Sequence, residues 1–192
     1  MNHIERKRYI DTIKLVSTTA PYKVQYDNLV NSHSTLFGSG IHSHSQFLPW
    51  HRWFILELEN LLQQVDCRVT VPYWDWVSQA ANPFGGNPWT NSLSWLGGTG
   101  NPAQSNCVTT GPFAHPGWTR PNGQCVRRTL SGAATFANAA DVQQLYNDNP
   151  NPTSAHYSGI RFGLEAGPGH HNSVHCAIGG TMCSGDAASA PE

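Results

Sequence analysis

The sequence is poor in charge. Only 12% of its 192 residues are Asp, Glu, Lys or Arg, and the formal net charge is -1. A chain of this kind has no basic field to attract nucleic acid or an anionic membrane. No apolar run approaches the roughly 18 residues of a membrane span, and the opening MNHIERKRYI is too polar for a signal peptide. We expect no nucleic-acid or membrane partner, and the abundance of small polar residues suggests a secreted or extracellular protein.

The cysteines lack the CxxC spacing that marks many zinc sites. There are five of them, so at least one has no partner within the chain: Cys67, Cys107, Cys125, Cys176 and Cys183. Cys107 and Cys125 bracket a segment rich in Gly and Pro, where a disulfide would substitute for a hydrophobic core. Either a disulfide or free thiols at this pair fit the sequence.

Histidine, in contrast, is abundant, with ten residues, and two separate groups of them stand out. His42 and His51 lie nine residues apart around an aromatic-rich turn, and the second group is His170, His171 and His175. His171 and His175 are four residues apart, so on a helix their rings point the same way. Either group alone could be structural, but together they favour a site for two metal ions.

The residue types narrow the choice of metal. A zinc metalloprotease helix needs Glu after the first histidine, and Asn172 stands there instead. Sites made only of imidazole suit copper, zinc, iron or nickel, and copper binds such ligands most tightly among the divalent first-row metals. The histidines therefore favour copper.

The length of 192 residues suits a single domain, 1–192, and apolar periodicity predicts a mainly α fold. We expect helices at 4–18, 22–36, 49–65, 139–146 and 157–165, with a short helix carrying His171 and His175. The third is the clearest, and it should place His51 on an apolar face with Phe54, Ile55, Leu58 and Leu62. Residues 68–76 should be extended or turning, so little β structure is expected.

A loop-rich insertion is predicted at 77–134, where Gly, Pro, Asn, Ser and Thr dominate. Three tryptophans in this stretch require burial, so we expect ordered loops that lie against the helices: Trp89, Trp95 and Trp118.

Three segments resemble one family. IHSHSQFLPWHRWFILELE (41–59), VPYWDW (71–76) and HNSVHCAIGGTM (171–182) are similar to tyrosinases, catechol oxidases and molluscan-type haemocyanins, the type-3 copper proteins. The resemblance covers nearly the whole chain. It implies an antiparallel four-helix-bundle core with two copper ions, each held by three histidines.

The resemblance also assigns ligands. His42 and His51 match the second and third ligands of copper A, and His33 fits the first, with the loop residue His44 as its competitor. His171 and His175 match the first two ligands of copper B, with His170 as a rival for the first. Gly40 stands where some relatives have a cysteine cross-linked to histidine, so that cross-link is not expected here.

The third copper B histidine of the family has no counterpart, since no histidine follows His175. We expect that the sequence is a fragment; a ligand from a second chain, or a defective copper B, are the alternatives. The family also places an Asn and a Glu where they orient a water that accepts the phenol proton, and Asn172 and Glu165 match these. The alternative for Glu165 is a purely structural role as a carboxylate at the end of a helix.

The resemblance implies a phenol-oxidising enzyme with O₂ and a phenolic small molecule as substrates. It would hydroxylate monophenols to o-diphenols and oxidise o-diphenols to o-quinones. A haemocyanin-like oxygen carrier, or an inactive fragment with an incomplete copper B site, are the alternatives. The oligomeric state is left open.

Overall fold

The computed structural model describes residues 1–86, 88–90, 95–131, 135–150 and 154–190. Within these ranges the chain forms six α-helices, two short 3-10 turns and no β-strand. The helices are α1 (His3–Thr18), α2 (Tyr22–Leu36), α3 (Phe47–Gln63), α4 (Ala139–Asn147), α5 (Ser154–Ala166) and α6 (His171–Ile178). The predicted mainly α class is therefore confirmed.

The first three helices pack against one another and form the main core. Asn2 caps α1, since its side chain accepts the Glu5 backbone N–H while the Glu5 carboxylate accepts the Asn2 N–H. The apolar residues at helical spacing on α1 and α2 meet the end of α3 in this core, which includes Ile10, Ile13, Val16, Tyr26, Val30, Leu61 and Leu62. The helix bounds on α1 and α2 agree with the sequence pattern to within a residue.

The third helix departs from its prediction in two ways. It begins at Phe47 rather than Pro49, which leaves the proline inside the first turn, where no intrahelical N–H bond is lost. The apolar face around His51 is also less buried than expected, because Ile55 is 50% exposed. Leu56 and Trp53 are exposed as well. The described residues thus cover only part of the apolar surface of α3.

The loop-rich segment is ordered in its described parts; residues 87, 91–94 and 132–134 lie outside them. Trp89 and Trp118 are buried, and the Trp118 indole donates to Ser17 Oγ of α1 at 2.9 Å. Trp95 is only half-buried, with the Arg6 guanidinium 4.2 Å from its ring centroid. The expectation of burial thus holds for two of the three tryptophans, while a cation–π contact covers the third.

A buried arginine ties this segment together. The Arg128 side chain has no exposed surface, and its Nη1 donates to the carbonyl oxygens of Leu96, Gly97 and Gly98 at 3.2, 3.0 and 3.0 Å. Nη1 carries two N–H groups, so the three carbonyl oxygens share them and at least one of these hydrogen bonds is three-centred. These contacts supply the hydrogen bonds that a strand ladder would otherwise provide.

Two disulfides are present. Cys107–Cys125 closes the loop foreseen from the sequence, and Cys176–Cys183 links the end of α6 to the turn after it, which the sequence did not suggest. Cys67 is free and exposed. No helix within the described ranges is long and apolar enough to cross a bilayer.

Candidate metal centre

Three histidines from the first half of the chain converge. His33 lies near the end of α2, His42 in the turn between α2 and α3, and His51 in the second turn of α3. One ligand nitrogen of each lies within 4.8 Å of the other two. The tight α2–α3 connection produces this cluster, since it folds the two helices against each other.

The closest pair in the cluster has a spacing that suits a bound ion. His51 Nε2 lies 3.4 Å from His33 Nε2. Two imidazole nitrogens held at about 2.0 Å by one tetrahedral ion would lie about 3.3 Å apart. The two nitrogens therefore need almost no rearrangement to share a metal ion.

The hydrogen bond of His51 fixes which nitrogen is available. Its Nδ1 lies 2.7 Å from the carbonyl oxygen of Phe47, an oxygen that can only accept, so the proton is on Nδ1. The Nε2 lone pair is then free and faces His33. This is the arrangement by which backbone carbonyls orient metal-binding histidines.

The donor set provides the test of fit. One nitrogen from each of His33, His42 and His51 lies within 4.8 Å of the other two, and the Nε2 atoms of His33 and His51 face each other at 3.4 Å. Sites made only of imidazole suit copper. The three residues therefore fit a bound copper ion.

The second pair lies beside the first cluster. The ring centroids of His171 and His175 on α6 are 4.5 Å apart, and His171 is 6.2 Å from His42 and 6.3 Å from His51. The Nδ1 of His175 lies 2.7 Å from the Met182 carbonyl oxygen, and that of His171 lies 2.9 Å from Asn172 Oδ1. Both contacts place the proton on Nδ1 and leave Nε2 available.

The rival histidines lie elsewhere. His170 is buried at the N-cap of α6, beside Gly167, rather than in the ring contacts that join His171 to the first cluster. His44 is exposed. The spacing of four residues explains why His171, and not His170, pairs with His175: it brings His171 and His175 to the same face of α6.

The electrostatic environment keeps the cluster neutral. Burial lowers the pKa of His33 to about 4, helped by repulsion from His51 and His42, and burial lowers the pKa of His171 to about 3, helped by His175. The pKa values of His42, His51 and His175 are lowered too, with burial as the largest cause. All five rings are thus neutral at pH 7, each with one ring nitrogen free to bind a metal.

A buried carboxylate ties the turn that carries His42 to α5. Glu165, in the last turn of α5, accepts the backbone N–H of Ser43 at 2.6 Å, and its other oxygen accepts Arg161 Nη1 at 2.6 Å. Sequence reasoning singled out Glu165 but missed both partners. Arg161, four residues before Glu165, could have been found from the helical spacing of opposite charges, whereas nothing in the sequence indicates Ser43.

A cavity of about 550 Å³ adjoins the second pair. His171 and His175 line part of it, and the rest of the wall includes six aromatic residues: Tyr9, Tyr73, Trp74, Trp76, Trp89 and Trp95. The indole nitrogens of Trp76 and Trp89 are buried there without a partner among the described residues. The second pair therefore has open space next to it.

These features define a class: a helical metalloprotein whose metal centre is built from histidines alone, three in one cluster and two in its neighbour. The model of the common central domain of tyrosinase matches residues 23–191. The chain belongs to the tyrosinase family.

Individual relatives agree with this assignment. The chain is 33% identical to a tyrosinase from Streptomyces lincolnensis and 31% identical to one from Streptomyces antibioticus, in each case over 94% of this chain and 70% of the relative. The structure of a polyphenol oxidase (mutant G292N) from Thermothelomyces thermophila superposes with a TM-score of 0.74 at 25% identity. That superposition covers 100% of this chain and 62% of the other, so the chain spans about three fifths of its length.

Proposed function

We propose that this chain carries the copper site of a type-3 copper oxidase that acts on phenols. The activity would be hydroxylation of monophenols to o-diphenols and oxidation of o-diphenols to o-quinones, with O₂ as the oxidant. The observation that carries this proposal is the close approach of two histidine groups, 6.2 Å between the ring centroids of His42 and His171. Two ions held side by side could act together on one small molecule.

The proposed ligands follow from the two groups. His33, His42 and His51 would hold copper A, whereas His171 and His175 would hold copper B together with a third ligand from outside these 192 residues. The aromatic cavity that His171 and His175 line gives room for that ligand. A bound copper pair supplies the redox chemistry with O₂, and the protein supplies binding and orientation.

Residues of this chain would determine which ring nitrogen of each histidine carries the proton. The Phe47 and Met182 carbonyls and the Asn172 amide oxygen hold protons on the Nδ1 atoms of His51, His175 and His171. This leaves their Nε2 atoms as ligands. We further propose that Asn172, with Glu165, handles the proton of a bound phenol; Glu165 is 4% exposed and anionic groups buried near a site can serve this purpose.

Two disulfides support an oxidising location for the protein, outside the cytosol, because disulfides are rarely stable in reducing compartments. We propose a secreted or extracellular protein on this ground. Liquid-chromatography mass spectrometry of the protein isolated without reductant would test it: both pairs should be fully oxidised.

The experiment combines copper counting with turnover. The 192-residue chain, and a form extended at its C-terminus to include the next histidines of the natural protein, are loaded with copper and assayed for tyrosine and catechol oxidation. We expect two coppers and quinone formation in the extended form. Reversible O₂ uptake with no quinone would indicate an oxygen carrier, and no bound copper in either form would overturn the proposal.

A matched pair of variants tests the second copper. His171→Ala should remove one copper and abolish quinone formation, whereas His170→Ala should leave the copper count unchanged. Equal loss in both variants would exclude His171 as the specific ligand.

A further inference from the structure

The turn after α6 brings a backbone carbonyl within hydrogen-bond distance of His175, a candidate copper ligand. The helix ends at Ile178, and Gly179 and Gly180 follow with φ of +71° and +56°, a conformation that glycine adopts without strain. The chain reverses there, and the Met182 carbonyl oxygen comes to lie 2.7 Å from His175 Nδ1. The orientation of the His175 ring therefore depends on the path of residues 179–182.

A disulfide flanks this hydrogen bond on both sides. Cys176 directly follows His175, and Cys183 directly follows Met182, so the bond between them joins the two residues that neighbour the donor and the acceptor. The link spans seven positions. It restricts how far the Met182 carbonyl can move from the His175 ring.

Packing does not explain the disulfide. Both Cys176 and Cys183 are exposed, in contrast to Cys125, which is buried. An exposed disulfide stabilises by limiting chain freedom rather than by filling the core. The freedom that this one limits is that of the turn carrying the Met182 carbonyl.

We propose that the Cys176–Cys183 disulfide is a positioning device for His175: it keeps the Met182 carbonyl on Nδ1, so that His175 presents its Nε2 lone pair to copper B. The inference about copper rests on the proposed function, but the effect on the proton of His175 does not. Partners of metal-binding histidines commonly change metal affinity by about 10- to 100-fold when they are removed.

The first test uses the metal-free protein. Long-range ¹H–¹⁵N correlation spectra at pH 7.5 report which ring nitrogen of His175 carries the proton. In the wild type we expect a single form protonated at Nδ1. In Cys176→Ser/Cys183→Ser we expect a mixture of both tautomers, since the carbonyl is no longer held in place.

The other disulfide supplies a matched control. Cys107→Ser/Cys125→Ser opens a longer loop, with a sequence separation of 18, and alters a buried position. Its loss of stability should be at least as large, yet the His175 tautomer should be unchanged. If both double variants shift the tautomer equally, or neither does, the positioning role is wrong.

A further test reduces the disulfide in the folded wild-type protein, so that misfolding of a variant cannot explain the result. A water-soluble phosphine should reach the exposed Cys176–Cys183 bond first, as mass spectrometry of alkylated peptides would verify. The tautomer mixture should then appear in the reduced, folded protein. A single Nδ1-protonated form after reduction would also overturn the proposal.

Copper titration separates this inference from the proposed function. In the C-terminally extended form, Cys176→Ser/Cys183→Ser should weaken the second copper by about 10- to 100-fold and leave the first unchanged. A tautomer change without any second copper in the wild type would retain the positioning role and refute the assignment of copper B.

Discussion

Glu165 accepts a hydrogen bond from the backbone N–H of Ser43 at 2.6 Å, across 122 residues of sequence. Ser43 follows His42 and has φ of +59°, a left-handed conformation that few residues other than glycine adopt readily. The contact therefore holds a strained turn next to a candidate copper ligand. It also links the α2–α3 connection to α5, the helix that packs against α6.

Glu165→Ala should destabilise the protein by about 3 kcal/mol, because it leaves the nearly buried Arg161 guanidinium without its carboxylate partner. Urea unfolding of the metal-free protein measures this. Asp11→Ala, which breaks the exposed pair with Lys7, is the control and should cost about 0–1 kcal/mol. Similar losses in the two variants would show that the buried Glu165–Arg161 pair contributes no more to stability than an exposed pair. Amide exchange at Ser43 should quicken only in Glu165→Ala.

His51→Ala should abolish binding of one copper, since it removes the Nε2 atom that lies 3.4 Å from His33 Nε2. Metal analysis of the loaded and desalted protein gives the copper count. His44→Ala is the natural comparison, because His44 is close in sequence but exposed. An unchanged copper content in His51→Ala would remove this residue from the site.

The stability of the metal-free protein should fall as the pH is lowered. Because the pKa of His33 is about 4 in the fold and near its ordinary 6.5 when unfolded, the unfolded chain binds more protons between these values. The free energy of unfolding is then fully present above about pH 6.5 and decreases on acidification toward pH 4, by up to about 1.4 kcal/mol per pH unit for one histidine. His171, with a pKa lowered to about 3, extends the same trend to lower pH.

Urea titrations at several pH values between 7.5 and 4 would check this dependence. His33→Gln should have a flatter profile than the wild type, because its side chain does not titrate. The exposed His3 provides the comparison variant, His3→Gln, whose profile should follow the wild type. A His33→Gln profile that is parallel to the wild type would show that this ring is not held neutral by burial.

Arg128→Met should destabilise the loop-rich segment, by about 3 kcal/mol, since three buried carbonyl groups lose a charged donor. Thermal or urea unfolding would measure the loss. Arg127→Met alters the neighbouring exposed side chain and should change stability by less than about 0.5 kcal/mol. Equal effects at the two positions would mean that the Arg128 contacts add nothing to stability.

The sequence predicted much of the local structure. The α2 range and the short helix with His171 and His175 agree with the structure, because apolar periodicity and glycine stops are properties of neighbouring residues. The start of α3 was misplaced by two residues, since a proline is tolerated throughout the first turn and does not mark its first residue. The partial exposure of α3 could not be foreseen from its own apolar pattern.

By itself the sequence determined the family and the residue types of the metal centre, because short motifs with fixed spacing carry that information. Only the tertiary structure decided which atoms meet: the Ser43 N–H with Glu165, the Met182 carbonyl with His175, and Cys176 with Cys183. Two of these contacts use backbone groups, which every residue possesses, so no side-chain pattern can reveal them. The third depends on a glycine turn whose direction is set by its packing against residues 127–129.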